Sequence, residues 1–217
     1  MNIKLISKIN QFKKLDIGGI IFYTLFRVKK ELKILIFNRM IHCICHLKGV
    51  KLGRNIIFSG NPIIRRYPKS SIIFGDGCKF NSAKNSVSIG LNQPCTFVTV
   101  GENSEIIIGA NSGVTGLKMH ARSKISIGNN VLIGSGCTII DNDAHHSDFR
   151  KRDFNTIPSR PIYIEDNVFI GMQCVILKGV TIGKNSVIGA NSIVFNSIPE
   201  NSIAIGNPCK VIIKKMI

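Results

Sequence analysis

Two histidines and four aspartates stand together in one stretch of the chain. It reads Asp141-Asn142-Asp143-Ala144-His145-His146-Ser147-Asp148-Phe149-Arg150-Lys151-Arg152-Asp153. A histidine whose ring is oriented by a carboxylate or a carbonyl is the usual general base near neutral pH. One chemistry for this stretch is therefore proton abstraction from a substrate by a histidine.

The same residues allow two other interpretations. In the first, His145, His146 and the aspartates bind a metal ion, with His120 as a further ligand, but adjacent histidines rarely reach one ion together, so we expect no metal. In the second, the stretch is a solvated charged loop. On the residues alone, general-base catalysis and a solvated loop both remain open.

The element that must position this stretch is a repeat of six residues. Branched aliphatic residues recur without a miss at Ile164, Ile170, Ile176, Ile182, Ile188 and Val194, and the same phase occurs earlier at Ile127, Ile133 and Ile139. A period of six fits neither a helix nor an alternating strand. It predicts short straight sides with turns at glycine or asparagine. Three sides make one coil of about eighteen residues, and stacked coils form a parallel β-helix.

The repeat breaks in the histidine-bearing stretch. The next inward position after Ile139 would be Asp143, and an apolar interior does not accept an unpaired carboxylate. Ile139 and Ile164 are 25 positions apart, about seven more than one coil. We therefore predict that the chain leaves the coil near Asp141 and forms an excursion loop over residues 141–162. Loops on rigid scaffolds are where function concentrates.

The first 49 residues lack the repeat. Ile20–Phe26 is strongly apolar and the following residues mix apolar and basic side chains, which predicts a basic amphipathic helical segment over residues 1–49. The apolar run is too short to span a bilayer. We expect it mainly to cap the β-helix over residues 50–217, and a peripheral contact with an anionic membrane is the second hypothesis.

The composition indicates which binding partners and which cellular compartment to expect. The formal net charge is +17, which favours an anionic partner, but no nucleic-acid-binding signature is present, so we expect no nucleic acid. Seven scattered cysteines argue against a disulfide framework, and Cys137 and Cys174 fall in small inward positions, which argues against a cysteine acyl-enzyme. Without an evident signal peptide, we expect a cytoplasmic protein, and peripheral binding at the inner membrane face is the second expectation.

From about Val50 onward the chain resembles the hexapeptide-repeat acyltransferases, and above all the galactoside and maltose O-acetyltransferase and surface-polysaccharide acetyltransferase branch. The resemblance lies in an ordered set of motifs: Ile164-Glu165-Asp166-Asn167-Val168-Phe169-Ile170-Gly171, Val180-Thr181-Ile182-Gly183, Ser186-Val187-Ile188-Gly189-Ala190, Ile198-Pro199-Glu200-Asn201 and Gly206-Asn207-Pro208-Cys209-Lys210-Val211-Ile212. It implies an all-β, left-handed parallel β-helix with an N-terminal helical segment. It also implies a homotrimer with active sites between subunits and acetyl-CoA as acyl donor.

The resemblance also implies roles for individual residues. His145 matches the catalytic histidine that opens the loop, with Asp143 as the residue that orients it. The positions that match cofactor contacts are Phe169, Gly171, Met172, Gly189, Ala190, Phe195, Asn196 and Lys210. The expected substrate contacts lie in the loop and one coil below it, at Thr115, His120, His146 and Arg150.

The expected function is transfer of acetyl from acetyl-CoA to a sugar hydroxyl, in the synthesis of a bacterial capsule or O-antigen, with His145 as general base. Three alternatives remain. The first is an N-acyltransferase that acts on an amino sugar nucleotide, and the second is a β-helix scaffold without catalysis. The third is a metalloenzyme similar to the γ-carbonic anhydrases, which would need three well-spaced histidine ligands.

Overall fold

The structure is a computed structural model that describes residues 16–84, 86–87, 90–146, 148–152 and 157–214, without the side chains of residues 30, 31, 33, 34 and 214. Residues 1–15 of the predicted helical segment lie outside this part of the chain. Residues 147 and 153–156 of the predicted loop also lie outside it.

The described residues form one long α-helix, α1 (Ile17–Leu47), and many short strands. In chain order the strands are β1 (Lys51–Leu52), β2 (Ile57–Ser59), β3 (Ile63–Arg65), β4 (Ser71–Phe74), β5 (Lys79–Asn81), β6 (Thr96–Thr99), β7 (Glu105–Ile108), β8 (Gly113–Thr115), β9 (Lys118–Ala121), β10 (Lys124–Ile127), β11 (Leu132–Ile133), β12 (Thr138–Ile140), β13 (Ile162–Ile164), β14 (Phe169–Ile170), β15 (Val175–Leu177), β16 (Thr181–Ile182), β17 (Val187–Ile188), β18 (Ile193–Val194), β19 (Ser202–Ile205) and β20 (Lys210–Lys214).

These strands assemble into three sheets, one for each side of a triangular coil. The first sheet has the order β1-β4-β7-β10-β13-β16 and the second β2-β5-β8-β11-β14-β17-β19-β20. The third sheet has the order β18-β15-β12-β9-β6-β3. Neighbouring strands within the sheets are parallel, except for β19 and β20 at the end of the second sheet. The fold is a left-handed parallel β-helix with an N-terminal helix, and this confirms the predicted fold class.

The six-residue phase is the pattern of the core. The six aliphatic residues from Ile164 to Val194 are at most 2% exposed. The small residues that share the interior are equally buried at Val168, Cys174, Val180, Ser186 and Ser192. Because a coil is only one strand thick, each coil can bury its interior only against the coils above and below it.

The coils near the N-terminal end are filled with phenylalanine. Phe58, Phe74, Phe80 and Phe97 are all buried, and their ring centroids lie 4.5–5.5 Å apart. Phe74 and Phe80 are six positions apart, so they occupy the inward phase that isoleucine occupies later. Aromatic pairs at these distances contribute roughly 0.5–1.5 kcal/mol beyond the burial of their area.

Asparagine occupies many of the corners where the backbone takes the left-handed conformation. Asn130, Asn167, Asn185 and Asn201 have φ between 54° and 60°. Asparagine tolerates this conformation better than other residues with a side chain. Their side-chain amides also form a ladder along the β-helix, because each Nδ2 donates to the Oδ1 of the next amide at 2.9–3.2 Å.

The last part of α1 closes the open end of the first coil. The chain divides into two compact units, residues 1–36 and 37–217, so the end of the helix belongs to the same unit as the coils. Ile41 and Cys45 are buried in its core. Asn38 Nδ2 donates to the carbonyl of Ile56 at 3.2 Å, and Asn38 Oδ1 accepts from the N–H of Phe58 at 2.8 Å. One amide side chain therefore satisfies two backbone groups that a further coil would otherwise bind.

The first unit is described by the helix from Ile17 to Ile36. Asp16 Oδ1 accepts from the N–H of Gly19 at 2.8 Å and caps the first turn. Large apolar side chains of this part are exposed in successive turns, at Ile17, Ile20, Ile21, Phe22, Tyr23, Leu25, Phe26, Val28, Leu32, Leu35 and Ile36. Among the described residues we find no helix whose length and apolar character would let it cross a bilayer.

The cysteines are free thiols, and most of them are packing residues. Cys137 and Cys174 lie in the inward positions and are fully buried. Burial raises the pKa of Cys45 to about 11 and also raises the pKa of Cys95. A buried thiol without access to substrate is a poor nucleophile, so the coil interior offers no cysteine for an acyl-enzyme.

We predict that Gly109→Ala destabilises the protein by about 1–3 kcal/mol. An added Cβ at Gly109 would lie 2.5 Å from the carbonyl of Gly128 in the next coil, so the two coils would have to move apart. Gly101→Ala is the matched control, because its Cβ would meet nothing closer than 3.6 Å. Its free energy of unfolding should change by less than about 1 kcal/mol. Urea denaturation measures both, and equal stability of the two variants would contradict the argument.

Candidate active site

The histidine-bearing loop leaves the coil between β12 and β13 and is closed at its base. Asn142 and Ser159 form an isolated antiparallel bridge. The N–H of Arg160 donates to the carbonyl of Asp141 at 2.9 Å. The outgoing and returning segments of the loop are thus joined where they leave the β-helix.

Asp141 anchors the loop to the coil below. Its side chain is 0% exposed. Its two carboxylate oxygens accept from the backbone N–H groups of Arg122 at 2.8 Å and Ser123 at 2.7 Å. Asn142 Nδ2 donates to the same carboxylate at 2.9 Å. A buried carboxylate is stable when it is satisfied in this way, and here it fixes the point from which the loop departs.

Asn142 extends this anchor to His120. Asn142 is 5% exposed, and its Nδ2 lies 3.0 Å from Nδ1 of His120. His120 is the outward residue of β9 in register with Ile140, the last residue before the loop. Burial lowers the pKa of His120 below its ordinary value, although the charge of Asp141 acts in the opposite direction. The imidazole of His120 is therefore neutral near pH 7.

His145, the predicted general base, is exposed on the loop. Ala144 precedes it with a φ of 60°, and Ala144 N–H donates to Asn142 Oδ1 at 3.0 Å. The backbone N–H of His145 donates to the carbonyl of Asp143 at 2.7 Å. Within the described part of the chain, the imidazole of His145 makes no hydrogen bond. A tight turn thus exposes this ring to solvent.

The carboxylate of Asp143, predicted to orient His145, forms an ion pair with Lys178. Lys178 directly follows β15, in the coil above the loop, and its side chain is mostly covered. The Asp143–Lys178 pair therefore ties the loop to the upper coil, as Asp141 ties it to the lower one. Sequence reasoning missed Lys178, because nothing in the six-residue pattern distinguishes this lysine from the others.

The second half of the loop is organised around Asp148. The N–H of Asp148 donates to Nδ1 of His146 at 3.0 Å, and Arg150 binds the Asp148 carboxylate through both Nε and Nη2. Hydrogen bonds from the side chain and backbone of Arg150 hold the pKa of Asp148 below its ordinary value. His146 and Arg150, predicted as substrate contacts, are thus engaged with Asp148. The Arg150 side chain is 75% exposed, so this ion pair is weak enough to exchange for a substrate anion.

Several predicted cofactor residues come together at the corner where the chain enters the third sheet. Gly171 follows β14, and Gly189 and Ala190 follow β17 directly above it. A Cβ at Gly171 would lie 2.5 Å from the backbone nitrogen of Ala190, so glycine is required there. Met172 is half-buried at the same corner, and its carbonyl accepts from Asn191 N–H at 2.8 Å. This corner offers bare backbone along two consecutive coils.

The remaining predicted residues are dispersed. Thr115 ends β8 and accepts a hydrogen bond from Asn81 Nδ2 at 3.1 Å. Phe169 lies on the outer face of the second sheet and is 47% exposed. Phe195 and Asn196 are exposed directly after β18, and Lys210 is exposed at the start of β20.

The predicted residues form two groups, at opposite ends of the strands of the third sheet. Thr115, Gly171, Met172, Gly189 and Ala190 lie where the chain enters this sheet. His120, Asp143, His145, Phe195 and Asn196 lie where the chain leaves it. The length of one strand therefore separates the predicted catalytic histidine from the glycine corner.

An open depression of about 550 Å³ lies elsewhere, on the outer face of the first sheet. None of the predicted site residues lines it, and its acidic groups serve the fold: Asp166 accepts from Asn129 N–H at 2.6 Å and Glu165 from Lys184 N–H at 2.8 Å. Among the described residues, no three His, Cys, Asp or Glu side chains are arranged to hold a metal ion.

Comparison with known families identifies the six-residue repeat. Residues 161–196 match the family described as bacterial transferase hexapeptide, with six repeats, and residues 124–140 match the hexapeptide repeat of succinyl-transferase. The chain therefore contains hexapeptide repeats over both matched parts.

Relatives of this hexapeptide-repeat protein include two galactoside O-acetyltransferases. The one from Escherichia coli is 42% identical over 130 residues, which cover 54% of this chain and 63% of the relative. The one from Lactococcus lactis is 46% identical over 89 residues, which cover 40% and 42%. The resemblance to this branch is confirmed over the matched part. The matches span between about two fifths and two thirds of the relatives' own length.

A solved structure supports the fold of the hexapeptide-repeat protein. A hexapeptide-repeat containing acetyltransferase from Vibrio cholerae superposes with a TM-score of 0.50 at 24% sequence identity. The superposition covers 80% of this chain and 77% of the Vibrio cholerae chain. At this identity the likeness concerns the β-helix architecture alone.

We predict that Asp141→Ala destabilises the protein by about 3 kcal/mol, because the N–H groups of Arg122 and Ser123 lose a fully buried acceptor. Asp143→Ala removes an ion pair whose carboxylate is well exposed, and should cost less than about 1 kcal/mol. Thermal and urea denaturation of both variants measure the difference. If Asp143→Ala were the more damaging change, the loop would be anchored from above rather than from below.

Proposed function

We propose that the protein transfers acetyl from acetyl-CoA to a hydroxyl group of a sugar. The identity with two galactoside O-acetyltransferases supports the reaction class. The observation that carries the proposal is the imidazole of His145, which is exposed and uncommitted on a loop held from below by Asp141 and from above by Lys178. A general base needs this combination of a fixed backbone and a free ring nitrogen.

In the proposed reaction the sugar oxygen attacks the thioester carbonyl of acetyl-CoA. His145 accepts the hydroxyl proton as the C–O bond forms, and the resulting oxyanion is stabilised by hydrogen-bond donors of the site. The C–S bond then breaks, and the proton on His145 returns to the departing CoA thiolate. No cysteine is needed, in keeping with the burial of Cys137 and Cys174.

The acetyl-CoA chain is proposed to lie along the corner formed by Gly171, Gly189 and Ala190. Two coils expose backbone there without obstructing side chains, so an extended pantetheine arm can approach closely. The exposed Lys210, Phe195 and Asn196 are proposed as further contacts, with the Lys210 charge available to a CoA phosphate.

We propose a homotrimer in which each active site is shared between two subunits. The glycine corner and His145 lie at opposite ends of the strands of the third sheet. A neighbouring copy would place its own glycine corner beside the His145 loop of the first subunit. The outer face of the second sheet supports this assembly. It carries an aligned apolar column, with Leu132 and Phe169 exposed and Val187 and Ile203 in register above them.

We predict that His145→Ala lowers acetyl transfer to a sugar acceptor by roughly 10²–10⁴-fold while acetyl-CoA binding persists, because a general base contributes to the chemical step. Calorimetry measures the binding, and release of free CoA thiol in the presence of a panel of sugars measures the transfer. His46→Ala, an exposed histidine on α1, is the matched control and should keep both properties.

Other outcomes of this experiment decide between the alternatives. Transfer only to amino sugars would replace the proposed O-acetyltransferase by an N-acyltransferase. A folded wild-type protein that binds no acetyl-CoA would contradict the proposed function and favour a scaffold.

We further propose that the acceptor is part of a surface polysaccharide under assembly at the cytoplasmic face of the membrane. The helix from Ile17 to Ile36 exposes many large apolar side chains, together with the basic Arg27 and Lys29. The whole chain carries a formal net charge of +17. Apolar side chains combined with positive charge favour peripheral binding to an anionic bilayer surface.

We predict that Phe22→Glu weakens binding to vesicles that contain phosphatidylserine by roughly tenfold or more, because a 75% exposed aromatic side chain is replaced by a negative charge. Leu47→Glu, at an exposed apolar position of the capping unit, should bind almost like wild type. Co-sedimentation with phosphatidylserine and with neutral phosphatidylcholine vesicles measures the effect. Equal sedimentation of both variants and wild type would remove the membrane role.

A further inference from the structure

His120 lies where the loop that carries His145 leaves the β-helix. In β9 the neighbours Met119 and Ala121 point into the core, whereas His120 points outward and is half-buried. Its register partner is Ile140, and the loop begins one residue later. The ring of His120 therefore lies beside the base of the loop, on the outer surface of the coil below.

The hydrogen bonds of Asn142 determine the orientation of its amide. Oδ1 accepts from the backbone N–H of Ala144 at 3.0 Å, and Nδ2 donates to the carboxylate of Asp141 at 2.9 Å. A flipped amide would set an oxygen against the carboxylate and an N–H against an N–H. Both contacts would be repulsive at a side chain that is 5% exposed. The amide must therefore direct its remaining N–H toward His120.

This orientation determines the tautomer of His120. Nδ1 lies 3.0 Å from Asn142 Nδ2, closer than the carbonyl of His120 at 3.4 Å, so Nδ1 accepts the hydrogen bond and carries no proton. In a neutral imidazole the proton then resides on Nε2. Burial also keeps this ring neutral at ordinary pH, since it lowers the pKa of His120. Within the described residues, Nε2 has no hydrogen-bond partner.

We propose that His120 is a fixed hydrogen-bond donor for the acceptor, held by Asn142 with its proton on Nε2. The ring cannot act as a general base through Nε2, because that nitrogen is already protonated. It can donate to an oxygen of the sugar, and it would help to place the reacting hydroxyl beside the neighbouring loop. The contact with a sugar rests on the proposed function, whereas the tautomer does not.

The tautomer is tested by NMR on the full chain labelled with ¹⁵N-histidine. Long-range ¹H–¹⁵N spectra distinguish a protonated Nε2 from a protonated Nδ1, and His120→Gln identifies the His120 signals by their loss. We expect a single Nε2–H form for His120 and a titration midpoint below the ordinary value of about 6.5. A proton on Nδ1 in the wild type would overturn the inference.

Two variants of Asn142 test what holds the tautomer. Asn142→Asp offers an acceptor in place of a donor and should move the His120 proton to Nδ1. Asn142→Ala removes the partner and should give a mixture of the two tautomers, which keeps the test valid if a second carboxylate beside Asp141 prevents folding. An unchanged Nε2–H signal in a folded variant would overturn the role of Asn142.

The role in acceptor binding is tested by transfer kinetics with methyl galactoside, or with whichever sugar of the panel the wild type acetylates. His120→Phe keeps a flat ring but loses the donor, and should raise the acceptor KM by about tenfold with a smaller change in kcat. His120→Gln retains an N–H donor and should recover most of this loss. His46→Gln is the control that should leave both constants unchanged.

The outcomes separate this inference from the proposed function. Equal acceptor KM values for wild type and His120→Phe would overturn the donor role while leaving acetyl transfer intact. If the wild type acetylates no sugar, the proposed function fails and the sugar contact fails with it. The NMR spectra then still decide whether Asn142 fixes the ring of His120.

Discussion

The distance between stacked coils is the constraint on which the rest of the molecule depends. Parallel strands pair at roughly 4.8 Å, and each corner must keep that spacing while the chain turns. At Gly109 a Cβ would lie 2.5 Å from the carbonyl of Gly128, and at Gly171 it would lie 2.5 Å from the nitrogen of Ala190. Glycine at these corners lets consecutive coils keep this spacing on every side of the triangle. The hydrogen bonds of all three sheets depend on this constant spacing between coils.

The small inward residues complete the same arrangement. The thiols of Cys78, Cys137 and Cys174 each donate to a glycine carbonyl of the following coil at 3.1 Å, those of Gly109, Gly171 and Gly189 respectively. Ser112 Oγ donates to the carbonyl of Gly128 at 2.9 Å. A cysteine or serine in this position therefore serves the backbone of a corner that would otherwise lack a partner. This accounts for three of the seven cysteines.

The period of six identified the β-helix because the interior admits one inward residue per side, so a single misplaced side chain would disturb three coils. The same regularity located the loop, where Asp143 would have fallen in the core. It did not reveal how the loop is held. Asp141 follows the last strand before the loop and is buried. From the sequence alone, a carboxylate at the start of a loop is expected to be exposed. Its two backbone partners come from Arg122 and Ser123, which the sequence separates from it by nearly twenty residues.

The six-residue pattern also did not predict where the N-terminal helical segment joins the core of the β-helix. The N-terminal segment was predicted as one unit of 49 residues, whereas the compact units meet at residues 36 and 37. Ile41 and Cys45 pack into the core and carry that part of the helix with them. Spacing alone could not separate these two residues from the neighbouring apolar side chains of α1, because both parts of the helix have a similar composition.

The capping by Asn38 has a consequence for how the protein behaves in a crowded cell. The first coil of a β-helix ends in a row of unpaired backbone groups, and such an edge can add strands from another molecule without limit. Asn38 occupies the carbonyl of Ile56 and the N–H of Phe58 with a side chain, which ends the ladder without offering a new one. The helix thus covers this edge of the second sheet, which opposes the addition of a strand from another molecule there.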